Sequence, residues 1–182
     1  MIYETLATEG KSTRYDWLAA TIGPKIREIR KKYIMESFCG FQQFEHRLEF
    51  VAMIQGMEFI NDSKSSTINA TWFALENFNK PVVWIVGGVE IGNDYSIVYP
   101  QVSAKVKAII CLGKDNRRIH EAFTPLGIPI TNTASMEEAV QQAYIMGEKG
   151  DVILLSPACA SFDLFENFEE RGKAFRKAVK NL

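Results

Sequence analysis

The sequence is poor in cysteine, and it lacks a long apolar run, a strong net charge and any internal repeat. The three cysteines contain no C-x-x-C pair, which speaks against a disulfide framework or a zinc knuckle and is typical of a reducing cytoplasm. No apolar run approaches the roughly 20 residues of a bilayer span, and the N-terminus lacks a signal-peptide layout. A net charge of -1 gives no long-range attraction to nucleic acid or anionic lipid. We therefore expect a cytoplasmic protein with neither a membrane nor a nucleic-acid partner.

The chain has 182 residues, and its hydrophobic period divides it into two zones. The first, residues 16–39, predicts an amphipathic helix that Gly23-Pro24 breaks or kinks. Its basic residues could bind nucleic acid, but a charge run on such a helix is more often a solvated face.

The second zone opens with a predicted β-hairpin, residues 48–54 and 57–60 around Gln55-Gly56. Strands and helices then alternate, and the strands are continuous apolar runs. This pattern predicts an α/β fold, a three-layer Rossmann-like domain whose mostly parallel sheet includes the N-terminal hairpin and follows a helical segment. The remaining predicted strands are residues 82–86, 108–112, 128–131 and 151–155. The predicted helices are residues 66–77, 97–106, 117–123 and 168–179, and a further helix begins at a capping box formed by Ser135 to Glu138.

Ligands of such sheets collect beyond the carboxyl ends of the strands. Four segments follow strands there: residues 61–66, 87–90, 113–116 and 156–161. In the last segment, small residues would let backbone N–H groups approach a carboxylate or a phosphate, and the helix beginning near Asn167 would add its positive dipole end. The alternative is an ordinary strand exit in which Cys159 is a buried small hydrophobe.

Three short polar groups are further candidates. Asp62 could accept from a sugar hydroxyl and Lys64 could face a phosphate or carboxylate, although a surface ion pair between them is equally compatible with their spacing. His46-Arg47 could add a cationic fork for a nucleotide, but a lone histidine is more often structural. Gly10-Lys11-Ser12 resembles the end of a phosphate loop, yet Thr5 stands where that motif needs glycine.

Several of these segments together resemble the Mur ligase family: residues 46–49 (HRLE), 60–64 (INDSK), 86–88 (VGG) and 154–163 (LLSPACASFD), continued by 165–172 (FENFEERG). The resemblance implies that residues 43–182 are the C-terminal, amino-acid-binding domain. It implies that residues 1–42 are the helical tail of a central ATPase domain.

The resemblance also implies a reaction in peptidoglycan precursor synthesis, a part of cell wall biogenesis and cell division. ATP and Mg²⁺ convert the carboxylate of UDP-N-acetylmuramoyl-L-alanine into an acyl phosphate, which the amine of D-glutamate attacks. The phosphate loop and the Mg²⁺ ligands of the family belong to the N-terminal and central domains that are missing here. We therefore expect no metal ligands in this chain and no activity of the chain alone.

By position, the resemblance assigns roles to six residues. Arg47 and Asp62 would meet the ribose of ATP, and Lys64 would act at the transferred phosphate or the incoming amino acid. Ser66 would hold the side-chain carboxylate of D-glutamate, and Ser161 with the Phe168 backbone would hold its other carboxylate.

The chain departs from the family at several ligand positions. Ile91 stands where a lysine pairs with D-glutamate, Thr67 replaces an asparagine, and the segment near the adenine has Ser12, Thr13 and Asp16. Two alternatives therefore stay open. One is a non-catalytic relic or a ligand-binding α/β module, and the other is a free-standing flavodoxin-like domain that binds a different phosphate ligand.

Overall fold

The computed structural model describes residues 45–182. The predicted helix at residues 16–39, the boundary between residues 42 and 43, and the departures at Ser12, Thr13 and Asp16 lie outside the described residues.

The first two strands form the predicted hairpin. Strand β1, Glu49–Ile54, pairs antiparallel with β2, Met57–Asn61, with a bulge between Phe50 and Ala52. At the turn, Gln55 has φ 49° and Gly56 has φ 81°. Positive φ at both central residues is the geometry of the two-residue turn that matches strand twist.

The rest of the chain alternates helices and strands, and all the remaining strand pairs are parallel. The sheet has the order β1-β2-β6-β3-β4-β5, so the last strand lies between the second and the third. The prediction of a mostly parallel α/β sheet with a hairpin at its edge is confirmed. The elements are α1 Ile68–Glu76, β3 Val82–Val86, α2 Tyr99–Lys105, β4 Val106–Leu112, α3 Arg117–Phe123, β5 Ile130–Thr133, α4 Met136–Met146, β6 Val152–Leu155 and α5 Phe168–Lys180.

The core consists of two hydrophobic layers on opposite faces of the sheet. Successive side chains of β3 alternate between them, with Trp84 in one layer and Val83 and Ile85 in the other. Helices α1, α2 and α3 cover the face of Trp84, and α4 and α5 cover the other face. The central strands are buried on both faces, which explains their unbroken apolar sequences.

Several local predictions differ in detail, and helices α1 and α2 each begin two residues later than predicted, at Ile68 and Tyr99. Strand β5 begins at Ile130 rather than residue 128, because Pro129 has no N–H for the ladder. Strand β4 begins at Val106, two residues earlier than predicted. In the capping box, Ser135 Oγ accepts from the Glu138 N–H at 3.2 Å, but the Glu138 carboxylate accepts from Ala134 N–H rather than from Ser135.

Between residues 45 and 182, every helix is too short or too polar to cross a membrane.

Candidate functional site

The four segments at the carboxyl ends of the strands are joined by hydrogen bonds, three of them through the backbone. Because β6 lies between β2 and β3, residues 156–161 lie between residues 61–66 and 87–90. Ala158 N–H donates to Ser65 O at 2.9 Å, and Val89 and Ala160 exchange two bonds of 2.8 and 3.1 Å. Lys114 N–H donates to the Asp163 carboxylate at 3.1 Å, which ties in residues 113–116. The predicted convergence of these segments is therefore present.

Glycine is required where the loop after β3 meets the loop after β6. Gly88 has φ 130°, and a Cβ there would lie 2.2 Å from the carbonyl oxygen of Ala160. Any side chain would force the two loops apart and break their paired bonds.

The loop after β6 contains a strained residue. Ala158 has φ 58°, which is unusual for a residue with a side chain. Its N–H is held by Ser65 O, and its carbonyl accepts from the Asn93 amide at 2.9 Å. Such strain persists only where neighbours fix it and concentrates at functional sites, which favours a ligand site here. Cys159 is 2% exposed, as the alternative of a buried small hydrophobe expects.

Arg171, on α5, is a site residue that the sequence did not reveal. Its side chain is 1% exposed. The guanidinium donates to Ser63 Oγ at 3.0 Å, Ser63 O at 2.8 Å and Cys159 O at 3.0 Å. All three acceptors are neutral, and none of the carboxylates in the described chain forms an ion pair with Arg171.

The charge of Arg171 is therefore buried behind the loops, where its hydrogen-bond acceptors among residues 45–182 are neutral oxygens and the Asp163 carboxylate acts on it through its charge. Burial lowers the pKa of Arg171 to about 10, so the group stays protonated at neutral pH. A buried cation of this kind raises the electrostatic potential around it, because little solvent screens it. Its bonds also join residues 61–66, residues 156–161 and α5 into one unit.

Asp62 lies inside the same unit. It is 1% exposed, Leu48 N–H donates to its Oδ1 at 3.2 Å, and Ser156 Oγ donates to its Oδ2 at 2.9 Å. Burial raises the pKa of Asp62 to about 6, although these hydrogen bonds and the Arg47 charge oppose the shift. The alternative of a surface ion pair with Lys64 is therefore wrong. Each carboxylate oxygen keeps a second lone pair, but a ribose could reach it only if the covering segments moved.

Lys64 and Phe168 lie side by side at the start of α5. The Lys64 ammonium is 5.8 Å from the centroid of the Phe168 ring, within the range of a cation–π interaction. The Phe168 carbonyl accepts from Ser63 Oγ at 2.8 Å. Because Phe168 is the first residue of α5, the N-terminal N–H groups of that helix begin beside Lys64, and Asn167 Oδ1 caps the helix by accepting from Glu170 N–H at 2.8 Å.

The two predicted serines lie in the segments that meet here. Ser66 is exposed just before α1, and Thr67 is the N-cap of that helix, accepting from Ala70 N–H at 3.3 Å. Ser161 is buried, and its carbonyl accepts from the N–H groups of Leu164 and Phe165. Ile91, two residues beyond the bridge to Ala160, is 79% exposed.

His46 belongs to the structural framework behind the site. It is 2% exposed, and its Nδ1 lies 2.9 Å from the Asn61 amide nitrogen. Burial and then the Arg176 charge lower its pKa, which favours the neutral ring. The structural interpretation of this histidine therefore holds, rather than the cationic fork.

A cavity of about 510 Å³ opens on the other side of the loop after β3, toward α3. The six residues with assigned roles do not line it, but three of the predicted ligand segments do, through residues that include Gly88, Lys114 and Cys159. Its walls include Val89, Glu90, Tyr95, Arg118, Cys159 and Asp163.

Within residues 45–182, no three histidine, cysteine or acidic side chains come together as metal ligands.

Comparison with known proteins identifies the family. A sequence profile described as "Mur ligase, glutamate ligase domain" matches residues 46–159. The chain belongs to the Mur ligase family. The matched stretch begins three residues before β1 and ends within the loop after β6, so it contains three of the four segments in full and most of the last.

Curated relatives of this Mur ligase domain are described as UDP-N-acetylmuramoylalanine–D-glutamate ligases. The protein of Christiangramia forsetii is 51% identical over 177 residues, which are 97% of this chain and 40% of the relative. That of Porphyromonas gingivalis is 45% identical over 179 residues, 98% of this chain and 40% of the relative. The chain thus spans about two fifths of the length of the relatives it matches.

Solved structures agree on the fold. A murein peptide ligase from Psychrobacter arcticus matches with a TM-score of 0.53 at 12% identity, covering 76% of this chain and 30% of that one. A bifunctional folylpolyglutamate synthase/dihydrofolate synthase from Yersinia pestis, solved with AMPPNP and a manganese ion, matches with a TM-score of 0.52 at 18% identity. The match covers 77% of this chain and 32% of that one.

Proposed function

We propose that this chain is the C-terminal domain of an ATP-dependent ligase that adds D-glutamate to UDP-N-acetylmuramoyl-L-alanine. In this proposal the segments at the carboxyl edge of the sheet bind the amino acid and part of the nucleotide. The N-terminal and central domains supply the phosphate loop and the Mg²⁺ ligands.

The observation that carries the proposal is the buried cation at Arg171. D-glutamate has two carboxylates and ATP has a triphosphate, so every ligand of the proposed reaction is anionic. Arg171 places a fixed positive charge beneath residues 61–66 and 156–161, and Lys64 adds a second cation beside Phe168. The N-terminus of α5 contributes its dipole, which Glu169 and Glu170 in the first turn partly offset. This arrangement favours a carboxylate between Ser161 and Phe168.

The chemistry of the proposed reaction is mainly positioning and charge stabilisation. When bound, ATP supplies the phosphoryl group that activates the substrate carboxylate. The residues of this domain would hold the D-glutamate carboxylates at Ser66, Ser161 and the Phe168 backbone. Lys64, already held over Phe168, would meet the transferred phosphate or the amino acid, and Arg47 with Asp62 would meet the ribose.

A chimera tests the proposal. This chain replaces the matching 177-residue segment of the Christiangramia forsetii ligase, and ADP release is measured with ATP, UDP-N-acetylmuramoyl-L-alanine and either D- or L-glutamate. We expect ADP release that depends on D-glutamate and is absent with L-glutamate. A folded chimera that releases no ADP in response to D-glutamate, while the intact relative does, would contradict the proposal and favour a non-catalytic module.

A further inference from the structure

The hydroxyl group of Ser156 occupies a central position between the two ligand loops. Ser156 is fully buried at the end of β6, and its Oγ donates to Asp62 Oδ2 at 2.9 Å. The same oxygen lies 3.0 Å from Thr71 Oγ1 on α1. The backbone carbonyl of Ser156 accepts from Trp84 Nε1 at 2.7 Å, which fixes the residue against β3.

A hydroxyl group carries one proton, and this restricts the direction of the chain of bonds. When Asp62 is ionised, the Ser156 proton must point at the carboxylate. The 3.0 Å contact with Thr71 then requires Thr71 Oγ1 to donate to Ser156 Oγ in place of its 3.4 Å bond to the Ser156 carbonyl. The bond from Ser156 is therefore a charge-assisted one in a site shielded from water.

The hydrogen bonds that the Asp62 carboxylate accepts from Leu48 and Ser156 connect different parts of the site. Oδ1 holds Leu48 N–H in the turn that carries Arg47, and Oδ2 holds Ser156, the first residue of the loop that ends at Ser161. The groups that act on Asp62 are Leu48 N–H and the Arg47 charge from the turn before β1, Ser65 from the loop after β2, and Ser156 from the loop after β6. Arg47 acts through its charge, and the other three groups are neutral hydrogen-bond donors.

We propose that Ser156 is a positioning residue whose hydroxyl orients the Asp62 carboxylate and thereby couples the nucleotide side of the site to the amino-acid loop. This rests on the proposed function for the identity of the two ligands, but the bond itself is present without them. A shift of residues 156–161 when the amino acid binds would move Ser156 Oγ, and Asp62 and the Arg47 turn would respond.

The positioning role is measured first without any ligand. The carboxyl carbon of Asp62 is followed by NMR during a pH titration of the 182-residue chain, for which we expect a midpoint near 6. Ser156→Ala removes a donor to the charged form, so the midpoint should rise by about one unit. Thr71→Val keeps the Ser156 bond and should give less than half of that rise. Ser103→Ala, on the exposed surface of α2, is the matched control and should give none.

A folded Ser156→Ala chain with an unchanged or lowered midpoint would overturn the proposal. If Ser156→Ala does not fold, Ser156→Cys keeps a weaker donor of similar size. Ser156→Cys should give an intermediate rise of the Asp62 midpoint, and an unchanged midpoint in this variant would also overturn the proposal.

The coupling is measured second, in the chimera with the Christiangramia forsetii domains. Ser156→Ala should raise KM for ATP severalfold with a smaller effect on kcat, and it should move the acidic limb of the pH profile upward by about one unit. A raised Asp62 midpoint with an unchanged KM for ATP would overturn the coupling. An unsubstituted chimera without D-glutamate-dependent ADP release would instead contradict the proposed function, and the ligand-free titration separates the two failures.

Discussion

The backbone of Gly172 lies directly against the His46 ring, so that a Cβ on Gly172 would be 2.2 Å from His46 Nδ1. The contact joins α5 to the turn before β1, the turn that carries Arg47. His46 itself has φ 63° and hydrogen bonds Asn61, whose amide nitrogen also donates to the Gly172 carbonyl at 3.3 Å. The glycine is therefore required by the buried histidine rather than by its own backbone.

Gly172→Ala should destabilise the chain by about 1–3 kcal/mol, because the new methyl group overpacks a buried ring. In an open helix position the same change would stabilise by up to about 1 kcal/mol. Urea unfolding measures the difference. His46→Gly suits the positive φ and removes the clash, so Gly172→Ala should become neutral or stabilising in the His46→Gly background. Equal effects of Gly172→Ala in both backgrounds would show that the two residues do not interact.

Arg171→Met should destabilise the chain by about 3–5 kcal/mol, because it leaves the oxygens of Ser63 and Cys159 buried without donors. The matched control is Arg117→Ala, whose exposed guanidinium pairs with the neighbouring Asp115, and this change should leave the unfolding midpoint unchanged. Similar midpoints for the two variants in urea would contradict the structural role of Arg171.

Asp62→Asn should change the pH dependence of stability. The pKa of Asp62 is about 6 in the folded chain and near 3.9 when unfolded, so the folded chain binds the extra proton between these values. Ionisation therefore opposes folding, and the free energy of unfolding falls as pH rises from about 4 to above 6. Relative to that of the unsubstituted chain, the free energy of unfolding of the Asp62→Asn chain should increase by on the order of 2–3 kcal/mol over that pH range. The free energies of unfolding of both chains are measured at pH 4, 5, 6 and 7. A difference between the two chains that is the same at all four pH values would contradict the raised pKa.

Ile91→Lys should strengthen D-glutamate binding if the resemblance places Ile91 correctly beside the substrate's side-chain carboxylate. The exposed position accepts a lysine without a change in packing. A charge-assisted contact contributes about 1.5–3 kcal/mol, so KM for D-glutamate in the chimera should fall by roughly 10-fold or more. Ile145→Lys, on exposed surface of α4, is the control and should leave KM unchanged. An unchanged KM for D-glutamate in Ile91→Lys would show that residue 91 does not lie beside the bound amino acid.

The sequence predicted the sheet well because its signals are local. Continuous apolar runs marked β3, β4 and β6, and Gln55-Gly56 marked the hairpin turn. The strand order has no such local signal, since the insertion of β6 between β2 and β3 depends on pairing between distant parts of the chain. The resemblance supplied the ligand roles of the site residues, and these stay predictions.

The burial of Arg171 escaped prediction because it follows Glu169 and Glu170, and charged residues in a helix usually face solvent. One signal was present. Arg171, Phe175 and Ala178 have the spacing of one helix face, and the last two are apolar and buried. The burial of Asp62 had no such signal, because a carboxylate directly after a strand is equally compatible with an exposed position.

The central claim is that residues 156–161 hold the amino acid, and Ser161→Ala in the chimera tests it most directly. Loss of a hydrogen bond to a carboxylate costs about 1.5–3 kcal/mol, so we expect KM for D-glutamate to rise by roughly 10-fold or more while KM for ATP stays unchanged. Ser103→Ala should change neither constant. A folded Ser161→Ala chimera with an unchanged KM for D-glutamate, or with a rise confined to ATP, would contradict the account.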